Sequence, residues 1–178
     1  IEKGGLGEST AIFDPKKAFT KSQLTDFWKQ VTKKAEIGPF GKIYEGIKGF
    51  KTLYEWMLRE LKPGDTLEVL GVPKKANDVF EGYILDWNAR RIGQSIKMNI
   101  IYNHDNRQYG KLRENMKLTF VRYIKQEFET PAWIVILKDY VVTINIQGGS
   151  PICFLIKNKN VSDSYKKYFD IIWKQAEK

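Results

Sequence analysis

Apolar positions along the chain change their spacing twice. The first eight residues, Ile1 to Glu8, are Gly-rich and read as a flexible lead-in. Asp14-Pro15 then pairs a capping acid with a proline at the first helical position, a helix start. Phe19, Leu24, Phe27, Trp28 and Val31 give this helix an apolar side, and it runs to about Gly38-Pro39. From Gly41 the pattern alternates between strand and helix. Lys42 to Glu45 predicts a short strand. Ile47, Phe50, Leu53, Tyr54, Met57, Leu58 and Leu61 recur at helical spacing before the turn Pro63-Gly64-Asp65. Thr66 to Gly71 predicts a strand, and Ala76, Val79, Phe80, Tyr83, Ile84 and Trp87 predict a helix reaching about Arg91. Ile96 to Tyr102 is the next strand, residues 105–115 a polar helix, and Lys117 to Tyr123 another strand.

The spacing then shortens to that of an antiparallel meander. Trp133 to Leu137, Val141 to Ile146 and Ile152 to Ile156 predict three strands joined at Lys138-Asp139 and Gly148-Gly149-Ser150. A closing helix carries Val161, Tyr165, Phe169, Ile172 and Trp173 on one face. The expected class is α/β, a mixed sheet flanked by helices. The expected organisation is a lead-in with an amphipathic linker helix over residues 1–41, then one domain over residues 42–178.

Composition narrows the possibilities. In 178 residues, 42% hydrophobic and 13% aromatic side chains are enough for a packed core, which excludes wholesale disorder. The lone Cys153 excludes an internal disulfide, and with the lone His104 it excludes Cys-rich and His-pair metal sites. No cofactor and no metal are expected. No apolar run approaches the roughly 20 residues of a membrane helix, so no membrane association and a cytoplasmic location are expected. The chain opens on Ile1 rather than Met, as a fragment or trimmed product would.

The net charge of +9 draws attention to nucleic acid, but its distribution changes that meaning. Residues 86–125 carry nine basic and three acidic side chains, whereas residues 42–85 carry seven of each. Arg90, Arg91, Lys97, Arg107, Lys111, Arg113, Arg122 and Lys125 are therefore candidates for a surface that attracts an anion: DNA phosphates, a nucleotide or a phosphosugar. Arg90 and Arg91 also suit the last turn of a helix, where the dipole favours positive charge.

The remaining candidates are few. His104 follows a strand, where ligands of open α/β sheets gather, but its polar neighbours equally suit a solvated turn. Gly71-Val72-Pro73-Lys74 lies at the corresponding end of an earlier strand and could line the same crevice. Trp133 could stack on a sugar or base, or pack in the core. Cys153, in an apolar strand, reads as an inert buried thiol. Glu81 with Asp86, and Glu127 with Glu129, lack a partner that would define an acid/base couple. Neither a Gly-x-x-x-x-Gly-Lys-Ser/Thr loop nor Gly-x-Gly-x-x-Gly is present.

Thr130-Pro131-Ala132-Trp133-Ile134-Val135-Ile136, Lys138-Asp139-Tyr140-Val141-Val142 and Tyr168-Phe169-Asp170-Ile171-Ile172-Trp173, set in this order of elements, resemble one family. So does Ile43-Tyr44-Glu45-Gly46-Ile47-Lys48-Gly49. The stretch from about residue 42 to 176 looks like the phospholipase-D-like effector domain of archaeal TrmB-type transcriptional regulators. The lead-in and first helix resemble the linker that joins it to a winged-helix DNA-binding domain. Phospholipase-D enzymes carry a His-x-Lys-x-x-x-x-Asp motif, and the resemblance lays it on residues 131–138. Pro131, Trp133 and Lys138 then stand where the histidine, lysine and aspartate would be. Proline cannot attack phosphorus, indole cannot neutralise a phosphate, and lysine cannot stand in for a carboxylate.

The resemblance implies a non-catalytic effector-sensing or dimerisation domain of an archaeal transcriptional regulator. Its expected partners are a second copy as a homodimer, a small-molecule effector (a sugar or phosphorylated metabolite), and DNA through an upstream domain. The expected ligand-binding residues are His104, Arg90, Arg91, Arg122 and Trp133. The alternatives are a protein that binds nucleic acid through residues 86–125, and an enzyme whose chemistry uses His104 outside the lost motif.

Overall fold

A seven-stranded mixed sheet carries the fold, its strands in the order Phe40–Glu45, Ser150–Lys157, Tyr140–Gln147, Ala132–Leu137, Thr66–Leu70, Lys97–Asn103 and Thr119–Ile124. The computed structural model describes residues 40–125 and 131–178, together with Thr20, Ser22, Thr25 and Asp26. The chain divides into a unit of residues 1–37 and a unit of residues 38–178. The linker helix expected before Gly38 lies outside the described residues, apart from Ser22, Thr25 and Asp26, which are helical.

β1 (Phe40–Glu45) turns into α1 (Gly46–Glu60) at Gly46, whose φ of 69° lets the strand reverse within one residue. α1 buries Phe50, Leu53, Tyr54, Met57 and Leu58, the stripe its spacing predicts, while Ile47 at its start stays 52% exposed. β2 (Thr66–Leu70), α2 (Lys74–Gly93) and β3 (Lys97–Asn103) make a parallel crossover unit. α2 packs through Ala76, Phe80 and Trp87, which leaves Val79 off the buried stripe. The helix expected over residues 105–115 is in two parts. A 3-10 turn (His104–Asn106) precedes α3 (Arg107–Glu114), and β4 (Thr119–Ile124) then lies parallel to β3.

β5 (Ala132–Leu137), β6 (Tyr140–Gln147) and β7 (Ser150–Lys157) form the expected meander, and β1 closes it against β7. β5 also runs antiparallel to β2, which joins the meander to the parallel half. The two-residue period of strands divides the core. Trp133, Val135 and Leu137 of β5 face the side covered by α1 and α2; Ile134 and Ile136 face the side covered by α4 (Lys159–Gln175) through Phe169 and Trp173. Among the described residues, no helix is long and apolar enough to cross a membrane.

Candidate functional site at the strand ends

The pairing of β2 with β3 and β5 brings the C-terminal ends of β2 and β3 beside the start of β5. That end of an open sheet is where its helix N-termini and loops leave room for a ligand. A crevice of about 170 Å³ lies there, lined by Pro73, Lys75, Pro131 and Ile146.

Local sequence explains its shape. Gly71 leaves β2 with a φ of 76°, a conformation that side chains disfavour. Pro73 then precedes α2, has no side chain able to cap it, and is followed by Lys74 and Lys75 with no acid in the first turn. First-turn N–H groups, the helix dipole and two ammonium groups share this point, so it attracts anions. Asn106, fully buried, donates from Nδ2 to the Val72 carbonyl at 2.9 Å and ties the His104 turn to the Gly71–Lys74 turn. Its Oδ1 is buried without a partner.

The five residues expected to bind a ligand are not brought together. His104 is exposed at the end of β3, its Nε2 3.3 Å from Nη1 of Arg107. Arg90 grips Glu55 with two nitrogens, at 2.6 and 2.8 Å, and Asp86 with a third at 2.9 Å. Arg91 is fully buried. It donates to the carbonyls of Ile96 and Leu118, to Thr119 Oγ1 and to Asn88 Oδ1, and burial, then the charge of nearby Arg113, pull it down to about 10. Arg122 donates to the Trp173 carbonyl and lies 4.7 Å over the Trp173 ring. Trp133 is 2% exposed and donates from Nε1 to the Tyr54 hydroxyl at 3.4 Å. With Phe50, Tyr54 and Trp87 it walls an interior cavity of about 50 Å³.

The wider basic stretch is divided in the same way. Arg113, 1% exposed, is held by both oxygens of Glu81. Lys125 pairs with Glu177 at 2.7 Å. Sequence reasoning named Glu81 and Asp86 only as an incomplete acid pair and did not name Glu55. Glu55 and Glu81 are instead structural counter-ions 35 and 32 residues from their arginines, a separation with no local signal. Lys75 was missed as well, although the Pro-Lys-Lys helix start could have shown it.

Residues 131–138 span the sheet. Pro131 is exposed at the crevice, Trp133 lies in the core, and Lys138 ends β5 at the far side with a φ of 49°. Lys138 Nζ donates to the Glu60 carbonyl at 2.6 Å and pairs with Asp65 at 3.2 Å. Among the described residues, the crevice thus offers a cation and three apolar side chains, and no carboxylate, imidazole, thiol or hydroxyl side chain lines it. Among the described residues, no cluster of His, Cys, Asp or Glu could hold a metal ion.

No protein-family model matches the sequence, and no curated protein matches it. Solved structures do. NucT from Helicobacter pylori superposes with a TM-score of 0.58 at 12% identity, over 78% of this chain and 98% of its own. TrmBL2, an archaeal chromatin protein whose structure shows a novel mode of DNA binding, superposes with a TM-score of 0.54 at 15% identity. That likeness covers 88% of this chain and 68% of TrmBL2. The fold is phospholipase-D-like. The expected mixed sheet flanked by helices is therefore borne out, and at these identities the likeness concerns the fold alone.

Proposed function

We propose that residues 42–178 form a non-catalytic effector-sensing or dimerisation domain of an archaeal transcriptional regulator, working with a winged-helix DNA-binding domain. The observation that carries this reading is the burial of Trp133. A phospholipase-D-like site needs a cation at that strand position, and an indole sealed against Tyr54 supplies none. Pro131 and Lys138 add no nucleophile and no acid, so the motif reads as lost. The likeness to TrmBL2, a DNA-binding chromatin protein, agrees with a role on DNA.

The crevice at the start of α2 is the natural place for an anionic effector, because Lys75 lines it and the first turn of α2 carries no acid and no side-chain cap. A phosphosugar or nucleotide would present the charge that point attracts. The test is a thermal-shift screen of sugars, nucleotides and phosphosugars, with Lys75→Gln as control, alongside a sizing measurement. A strict monomer that no compound stabilises would remove support for the reading. Hydrolysis of bis-p-nitrophenyl phosphate that disappears in His104→Ala would overturn its non-catalytic part.

A direct nucleic-acid role for residues 86–125 would draw chiefly on the exposed Lys97, Lys111 and Lys117, because Arg91 and Arg113 are buried and Arg90 is held by Glu55 and Asp86. Charge reversal at those three lysines, read as DNA retention at low salt, separates this role from the first.

A further inference from the structure

β4 is an edge strand. Among the described residues, β3 pairs along one side of it, and on the other side Glu177 alone forms a bridge. Tyr123 donates its N–H to the Glu177 carbonyl and accepts from the Glu177 N–H, both at 2.8 Å. This is a single rung of antiparallel pairing. In a strand, alternate residues turn both backbone polar groups to the same side, so Val121 and Thr119 aim theirs off the sheet beside those of Tyr123.

A groove of about 620 Å³ runs along this edge, between Arg107 and Glu114 of α3 and Trp173 of α4. Phe120, on its floor, is 52% exposed. An unpaired edge beside an exposed aromatic is a template for another strand unless something blunts it.

We propose that the outer edge of β4 binds an extended acidic peptide of a partner protein by antiparallel strand addition, continuing the rung that Glu177 begins. Charge selects the occupant. Arg107, Arg122 and Lys178 line the groove against Glu114, whose carboxylate already accepts from the Tyr123 hydroxyl. The residue now on the edge is itself a glutamate. Its carboxyl lies below the ordinary range, first through the hydrogen bond from Lys125 and, less, through the charge of Arg107. A strand with acids on alternate positions would meet the same field. Single-stranded nucleic acid fits less well, because half of the exposed backbone groups are carbonyls and phosphates cannot donate to them.

The test is fluorescence anisotropy of a fluorescein-labelled Glu-Val-Glu-Val-Glu-Val peptide titrated with the whole chain. Saturable binding is expected. It should weaken at least about tenfold when alternate peptide nitrogens are methylated, and by a similar factor when lysines replace the glutamates. Val121→Pro removes one outward N–H, and proline is tolerated on an edge strand, so this variant should keep its melting temperature and lose binding. If it unfolds, the methylated peptide still decides. No binding up to about 1 mM, or binding indifferent to methylation, would overturn the proposal. So would capture of oligothymidylate but not the peptide, or a dimer of the free chain abolished by Val121→Pro.

Discussion

Arg113 of α3 and Glu81 of α2 meet in a two-pronged ion pair, 2.8 and 2.7 Å, with the arginine side chain 1% exposed and the glutamate 21%. A guanidinium this deep is stable only while its partner stays charged and in place. Glu81→Gln, which keeps the volume and removes the charge, should cost about 3–5 kcal/mol. Urea unfolding measures it, and replacing both residues with apolar ones should cost much less than the sum of the single changes.

A second pair adds a pH-dependent contribution on the acid side. Hydrogen bonds from Arg90 hold the Glu55 carboxyl down at about 2, against an ordinary value of 4.5. A depressed carboxylate contributes stability that is present above its unfolded value and lost as pH falls through the folded one. The contribution is thus complete above about 4.5 and disappears towards about 2. Because Glu55 is 37% exposed, solvent makes it modest. Arg90→Gln should flatten the stability profile in that window and leave the acid side otherwise unchanged.

Gly110 packs where a side chain has no room. A Cβ there would lie 2.5 Å from the Tyr123 ring and hydroxyl. That ring is 1% exposed and pinned by Glu114 and by Arg107, 4.4 Å above it. Alanine in a helix ordinarily gains about 1 kcal/mol over glycine. Here Gly110→Ala should lower the melting temperature, since overpacking costs about 1–3 kcal/mol.

Cys153 is fully buried, and burial pushes its thiol up to about 12. In the native protein it should resist a thiol-specific disulfide reagent at pH 8 and react only as fast as the domain opens. Fast, stoichiometric labelling without denaturant would contradict this burial.

Trp133→Lys tests the lost motif from the side of stability. Among the described residues lining that cavity none is acidic, so an ammonium beside Phe50, Tyr54 and Trp87 should destabilise by several kcal/mol. Thermal unfolding reads it, and a variant as stable as the parent would show that the strand can present a cation there.

Periodicity carried most of the fold because each element signals locally. The Phe50–Leu61 stripe, the βαβ alternation through residue 123 and the meander after Trp133 lie within a few residues of the observed α1, parallel strands and β5–β7. The split of residues 104–114 escaped, since a polar run of eleven hides whether its first turn is 3-10 or α. The ligand residues were least legible. Arg90, Arg91 and Arg113 look like a surface in sequence, and each one's fate depends on acceptors brought from Glu55, Leu118 or Glu81.

The sequence by itself determined the elements, their order, a mixed sheet flanked by helices and the absence of histidine, lysine and aspartate from positions 131, 133 and 138. Those are properties of residue type and spacing. Only the tertiary structure decided which arginines are held by distant acceptors, that Pro131 and Lys75 share a crevice, and that among the described residues Glu177 alone pairs with the outer edge of β4. Charge is neutralised, and backbone is paired, by residues distant along the chain. Such pairings depend on strand order, and one sequence read linearly does not contain it.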